Sequence, residues 1–213
     1  MKTIDSCVDE RCMWNEYEVE FAQKYICDKM NYSSTGCPEI LKKPDCIKEN
    51  VVTLMVPARR PLLISLGIKD DGISMEVEWN YKQKLFRALK AFADKNELNV
   101  WLRYHPADNT LTRAQDEKIA HQLGFIILDD SRTAFEKAVA LSRVVVGFES
   151  SALIVAAYYD CNVFSISNGE FDYCGFPIKH VSVEELVDSG IDAEYKYLGP
   201  VEIDIKKLLS CNM

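Results

Sequence analysis

At 213 residues the chain is long enough for one full α/β domain plus a small additional segment. Its 48% hydrophobic and 27% charged residues are ordinary for a globular protein and exclude a fibrous or low-complexity chain. A net charge of −8 argues against a nucleic-acid partner, and no apolar run approaches the roughly 18 residues of a membrane span.

The chain opens with Met1-Lys2-Thr3-Ile4-Asp5-Ser6, which has no apolar core of a signal peptide, so a cytoplasmic location is expected. A lumenal or secreted origin is the alternative if the natural chain starts upstream of Met1. Residues 1–58 read as a separate helical and loop segment, carrying Cys7, Cys12, Cys27, Cys37 and Cys46 of the chain's eight cysteines. Free thiols acting as small apolar residues, disulfides, and zinc all fit this spacing, although no C-x2-C pair occurs. A helical pattern runs from Glu16 to Met30, with Tyr17, Phe21, Tyr25 and Ile26 on one side. The stretch from Asn31 to Pro38 has loop composition, and its Asn31-Tyr32-Ser33 glycosylation triplet is common by chance.

From about residue 59 to 213 strand and helix signals alternate. Leu62 to Leu66 is an apolar strand ending at Gly67, and Glu78 to Ala93 is a helix with Tyr81, Leu85, Ala88, Leu89 and Phe92 in one stripe. Strand Leu98 to Leu102 follows. Thr112 with Gln115 forms a capping box for the next helix, which Gly124 stops. Phe125 to Leu128 is a strand, and Thr133 with Glu136 repeats the capping pattern. Strand Val144 to Phe148 leads to helix Ala152 to Tyr159 and strand Val163 to Ile166, and a last helix starts at Ser182 with Glu185 completing its cap. The strand runs are continuously apolar, as strands buried on both faces are. The expected fold is therefore a Rossmann-like parallel sheet with helices on both faces, preceded by the cysteine-containing segment. No G-x-G-x-x-G follows its first strand, which argues against a dinucleotide cofactor.

Ligands of open α/β sheets bind outside the carboxyl ends of the strands, so residues there are the candidates. Arg103-Tyr104-His105-Pro106 closes one strand, pairing a fixed cation with a donor imidazole on a turn that Pro106 stiffens. Ser150 and Ser151 stand where another strand gives way to a helix. One is expected to cap that helix, and the helix start suits an anion. Asp70-Asp71-Gly72, after the first strand, offers a general base, though the same residues make an ordinary turn. Asp129-Asp130 is a weaker case of the same kind. His121 and His180 read as structural or solvent-facing, and no metal-ligand cluster stands out.

The order Asp-Asp-Gly, (Lys/Arg)-x-His-Pro, Ser-Ser resembles the three motifs of bacterial sialyltransferases and polysialyltransferases of the GT-B fold. Residues 147 to 157, Gly-Phe-Glu-Ser-Ser-Ala-Leu-Ile-Val-Ala-Ala, also look like the nucleotide-binding half of GT-B glycosyltransferases generally. The resemblance covers about residues 61 to 168. It implies that His105, with Arg103 and Pro106, holds the donor phosphate and helps it depart. By the same resemblance Ser150 and Ser151 contact the nucleotide, and Asp70 or Asp71 takes the acceptor proton. The implied reaction is a metal- and cofactor-independent inverting transfer of a sugar, with CMP-sialic acid the preferred donor and a glycan hydroxyl the acceptor.

GT-B sites lie between two Rossmann-like halves, and residues 1–58 cannot build a second one. A second copy of the chain would then complete the site. The competing readings are a nucleotide-sugar epimerase-like protein and a non-catalytic nucleotide-binding or interaction protein on the same half-fold.

Overall fold

A computed structural model describes residues 10–13, 23, 31–34, 47–56, 75–106, 112–129, 131–148, 150–167 and 178–192. The chain divides into two compact units, one of residues Met1–Pro44 with Leu198–Met213 and one of Asp45–Tyr197. In the first, β1 (Glu10–Met13) pairs in parallel with β2 (Asn31–Ser34), from Glu10 opposite Asn31 to Met13 opposite Ser34. Residues 31–34 are thus a strand where their composition suggests a loop. A partner strand supplies the ladder that Asn and Ser do not favour alone.

The second unit runs β3 (Glu49–Val56), α1 (Met75–Lys95), β4 (Asn99–Tyr104), α2 (Arg113–Gln122), β5 (Ile126–Leu128), α3 (Arg132–Leu141), β6 (Ser142–Gly147), α4 (Ser151–Tyr158), β7 (Asn162–Ile166), β8 (Ile178–Val181) and α5 (Val183–Leu186). Its six strands form one all-parallel sheet in the order β5-β4-β3-β6-β7-β8. Counted along the chain this is 3-2-1-4-5-6, so the fold is Rossmann-like α/β as expected. The order reverses between β3 and β6, which makes their carboxyl ends the topological switch point.

The position of β3 corrects the division at residue 58. Val51 to Val56 are all buried at the centre of the sheet, so the α/β unit starts at Asp45 rather than 59. An uninterrupted apolar run is how a strand covered on both faces reads, and Val51-Val52-Thr53-Leu54-Met55-Val56 is one. The predicted strand at 62–66 lies outside the described residues, as does the helical pattern at 16–30 apart from Gln23.

Alternate residues of each strand feed two layers. Val52, Leu54 and Val56 of β3, Val100, Leu102 and Tyr104 of β4, and Val144 and Val146 of β6 meet α1, α2 and α5 in the main core. There Phe92 packs edge-on to Phe164 with ring centroids 5.7 Å apart, and Phe86 to Phe125 at 6.0 Å. Each such buried ring contributes on the order of 1.5–3 kcal/mol through burial. Small residues let α3 and α4 lie on the opposite face, with Ala134, Ala138, Ala156 and Ala157 all buried. Below them the buried thiol of Cys161 has one proton to donate, to the carbonyl of Val139 or of Ser142, both at 3.2 Å, and its sulfur accepts from Lys48 Nζ at 3.3 Å. It is in no disulfide and packs as a buried thiol; the side chains of the five N-terminal cysteines lie outside the described residues.

The caps follow the sequence only in part. Gly124, at φ +78°, ends α2 as expected, and Ser182 with Glu185 forms a complete capping box at α5. At α3 the cap is Ser131, whose Oγ accepts from the Ala134 amide at 3.1 Å, rather than Thr133. Thr112 does precede α2, yet its hydroxyl makes no cap bond because buried charged groups hold it instead.

Candidate functional site

The carboxyl ends of β4, β3 and β6 lie side by side. His105 follows β4, and its backbone N–H donates to the carbonyl of Val56 at the end of β3, at 3.1 Å. That bond carries the β3–β4 pairing one step past the strand and fixes where the imidazole leaves the sheet. His105 and Pro106 are both exposed. On the other side of β3, β6 ends at Gly147, and the chain turns through buried Phe148 into α4. A Cβ on Gly147 would stand 2.9 Å from Leu153 Cδ2 and 3.4 Å from Met55 Cβ. Glycine is what lets the start of α4 pack this close to the sheet end.

Ser150 is the N-cap of α4, in extended conformation, with its Oγ accepting from the Ala152 amide at 3.2 Å. One of the two serines is thus a cap, as the sequence suggests, and it is Ser150. The first turn of α4, from Ser151, presents the positive end of the helix dipole beside the switch point. His105 and Ser150 follow the ends of β4 and β6, which flank β3 and lie two strand spacings, about 10 Å, apart.

Arg103 is placed differently from His105. It is 7% exposed, its guanidinium stacks on the Phe135 ring at 5.0 Å, and Nη2 donates to the Ser131 carbonyl at 3.4 Å. It braces β4 against the β5–α3 turn. In that turn the Ser131 amide donates to Asp129 Oδ1 at 2.8 Å. Hydrogen bonding from Ser131, with Arg103 nearby, holds the Asp129 carboxyl below its ordinary range. Asp129 therefore shapes the turn. Asp70, Asp71 and Gly72, together with Glu149, Asp130 and the Ser151 side chain, lie outside the described residues.

Two features were not foreseen from the sequence. A cavity of about 220 Å³ opens between α1 and α5 at the end of β7, lined in part by Tyr81, Lys84, Ser167, Ser182 and Glu184. Tyr81 backs onto Phe148 with centroids 6.3 Å apart, and Ser167 Oγ meets His180 Nδ1 at 2.7 Å. The Lys84–Glu184 ion pair crosses the rim and holds Glu184 below the ordinary carboxylate range. The other feature is a buried group of charges between α1 and α2: Glu78, Lys82, Thr112 and Asp116. The signal was present in the i,i+4 pairs Glu78/Lys82 and Thr112/Asp116, the first of which lies in register with the buried stripe Leu85, Leu89 and Phe92.

Among the described residues no three His, Cys, Asp or Glu side chains converge as a metal site requires, and no helix is long and apolar enough to cross a membrane. The chain matches no family model and no curated protein sequence.

Proposed function

We propose that the α/β unit binds the phosphate of a nucleotide-activated sugar at the switch point and serves as the donor half of a glycosyltransferase. The observation that carries this reading is the flanking of β3 by His105 at the end of β4 and the Ser150-capped start of α4 at the end of β6. An exposed imidazole and a helix N-terminus facing one crevice supply a hydrogen-bond donor and a positive dipole to an anion. In this reading His105 binds the phosphate directly, Ser150 fixes the helix, Ser151 reaches the nucleotide, and Pro106 holds the turn. Arg103, buried against Phe135, positions the end of β4 and adds its charge from below.

CMP-sialic acid is the preferred donor, as the resemblance in the motif order implies. Asp70 or Asp71, between β3 and α1 in the chain, takes the proton of the acceptor hydroxyl. The acceptor oxygen bonds to the anomeric carbon as the carbon–phosphate oxygen bond breaks, and CMP departs with His105 stabilising its phosphate. A second copy of the chain supplies the acceptor side. A thermal-shift panel of CMP, UDP, GDP and their sugars tests donor binding, since a ligand of the folded state raises the melting temperature. Transfer from labelled CMP-sialic acid, followed alongside sedimentation, tests catalysis. Stabilisation by CMP with transfer only in the self-associated form supports the reading, whereas CMP binding by a monomer that transfers nothing favours a non-catalytic binding protein.

A further inference from the structure

The cavity between α1 and α5 joins an aromatic ring, an apolar lining and a matched pair of charges. Tyr81 of α1 is half-buried, and Phe148 backs its ring with centroids 6.3 Å apart. Ile166 at the end of β7 and Val183 at the start of α5 are buried and make the apolar part of the lining. The rest is polar. Ser167 and Ser182 bring hydroxyls, and Lys84 of α1 pairs with Glu184 of α5.

Hydrogen bonds hold both serines in place. Ser167 Oγ lies 2.7 Å from His180 Nδ1, and the Ser167 amide donates to the Val181 carbonyl at 3.4 Å, which ties the end of β7 to β8. Ser182 Oγ accepts from the Glu185 amide at 3.2 Å, and Glu185 Oε2 accepts from the Ser182 amide at 2.8 Å. The ion pair is placed differently. The side chains of Lys84 and Glu184 are 58% and 63% exposed, so a ligand arriving from solvent reaches them.

Charge and size narrow the ligand. Among the described residues that line the cavity, one ammonium is matched by one carboxylate. An anion would take Lys84 from Glu184 and leave a carboxylate facing it, and a cation meets the reverse problem. A neutral hydroxyl meets neither, because it accepts from the ammonium and donates to the carboxylate with the pair intact. The volume of about 220 Å³ lies below the roughly 300–1,000 Å³ of pockets for drug-sized ligands, which leaves room for one ring. A pyranose is of that size, with C–H faces suited to an aromatic ring and hydroxyls around its edge.

We propose that this cavity binds a single neutral sugar ring, with Tyr81 against one face and the Lys84–Glu184 pair on its hydroxyls. It opens at the end of β7, one strand beyond β6, so it is additional to the phosphate position at the switch point and requires no nucleotide.

The test is saturation-transfer NMR on the full chain without nucleotide, with the methyl glycosides of glucose, galactose, mannose and N-acetylglucosamine, and inorganic phosphate as the charged probe. We expect at least one glycoside to bind with a dissociation constant of about 1 mM and to shift the amide signals of Lys84 and Ser167. Lys84→Met and Glu184→Gln change exposed side chains, so each should unfold in urea close to wild type yet weaken the glycoside about tenfold. No saturation transfer from any glycoside at about 10 mM, or equal affinity in wild type and both variants, would overturn the proposal. So would shifted amides confined to other parts of the molecule, or tighter binding of phosphate than of every glycoside at Lys84 and Ser167. No nucleotide enters the measurement, so the sugar site and the donor site can fail separately.

Discussion

The two polar regions at the carboxyl edge of the sheet are built on opposite principles. Between α1 and α2 the charged groups are turned inward and spend their hydrogen bonds on one another. At the switch point His105 is exposed, and Ser150, on the far side of β3, caps the helix that starts there. Burial of charges against one another marks a device of the fold. Exposure at strand ends, over a reversed strand order, is why the proposed ligand site is placed there. The same contrast separates Arg103 from His105, two residues apart in the chain, since one is buried as a brace and the other stands in solvent.

Substitutions sharpen that contrast in order of size. Lys82→Met should be the most damaging, because it strands two buried carboxyls, and urea unfolding should show a loss of about 3–5 kcal/mol. Arg103→Ala comes next. It removes a charged hydrogen bond and a cation–π contact, and should lower stability by about 2–3 kcal/mol. If Arg103→Ala unfolds like wild type yet loses nucleotide affinity, the bracing role assigned to it is wrong. Ser150→Ala removes the cap of α4 and should cost about 1 kcal/mol by the same measurement.

The smallest effect is on the acid side. Asp129, Glu184 and Glu185 are exposed carboxyls held below their ordinary range by hydrogen bonds from Ser131, Lys84 and Ser182 respectively. Their contribution is present above the unfolded carboxylate value, about 4, and fades as pH falls through the lowered folded values. Asp129→Asn should flatten that acid decline slightly, as seen in the urea midpoint between about pH 4.5 and 2.5. Asp116 runs the other way, since burial raises its carboxyl and its contribution is lost as pH rises through the folded value, so the two kinds of carboxyl are distinguished by the sign of their pH dependence.

Much of this was legible in the sequence. The alternation of apolar runs with amphipathic stripes marks α1 through α5 and β4 through β7 to within a few residues, because each helix stripe and each buried strand has its own period; the short edge strand β8, with Lys179 and His180 exposed at its middle, lacks such a run. The central strand β3 is not legible as such, because its apolar run abuts the cysteine-containing segment and falls within residues 1–58. The caps at Thr112 and Thr133 were misread for a different reason. Capping motifs are local, whereas Thr112 is claimed by Lys82 from another helix, and Ser131 starts α3 two residues earlier than Thr133. The strand-end positions of His105 and Ser150 followed from the elements alone. The burial of Arg103 and the charge group around Lys82 did not, because both depend on which faces meet in three dimensions.

The central claim is that His105 and the start of α4 hold a nucleotide phosphate at the switch point. Calorimetric titration of CMP into wild type and His105→Ala, each first checked for an unchanged urea midpoint, tests it directly. The account predicts binding by wild type and a loss of about tenfold or more in affinity for the variant, the scale of one charge-assisted hydrogen bond. Equal affinity in the two proteins, or no binding of CMP, UDP or GDP by wild type, would contradict it.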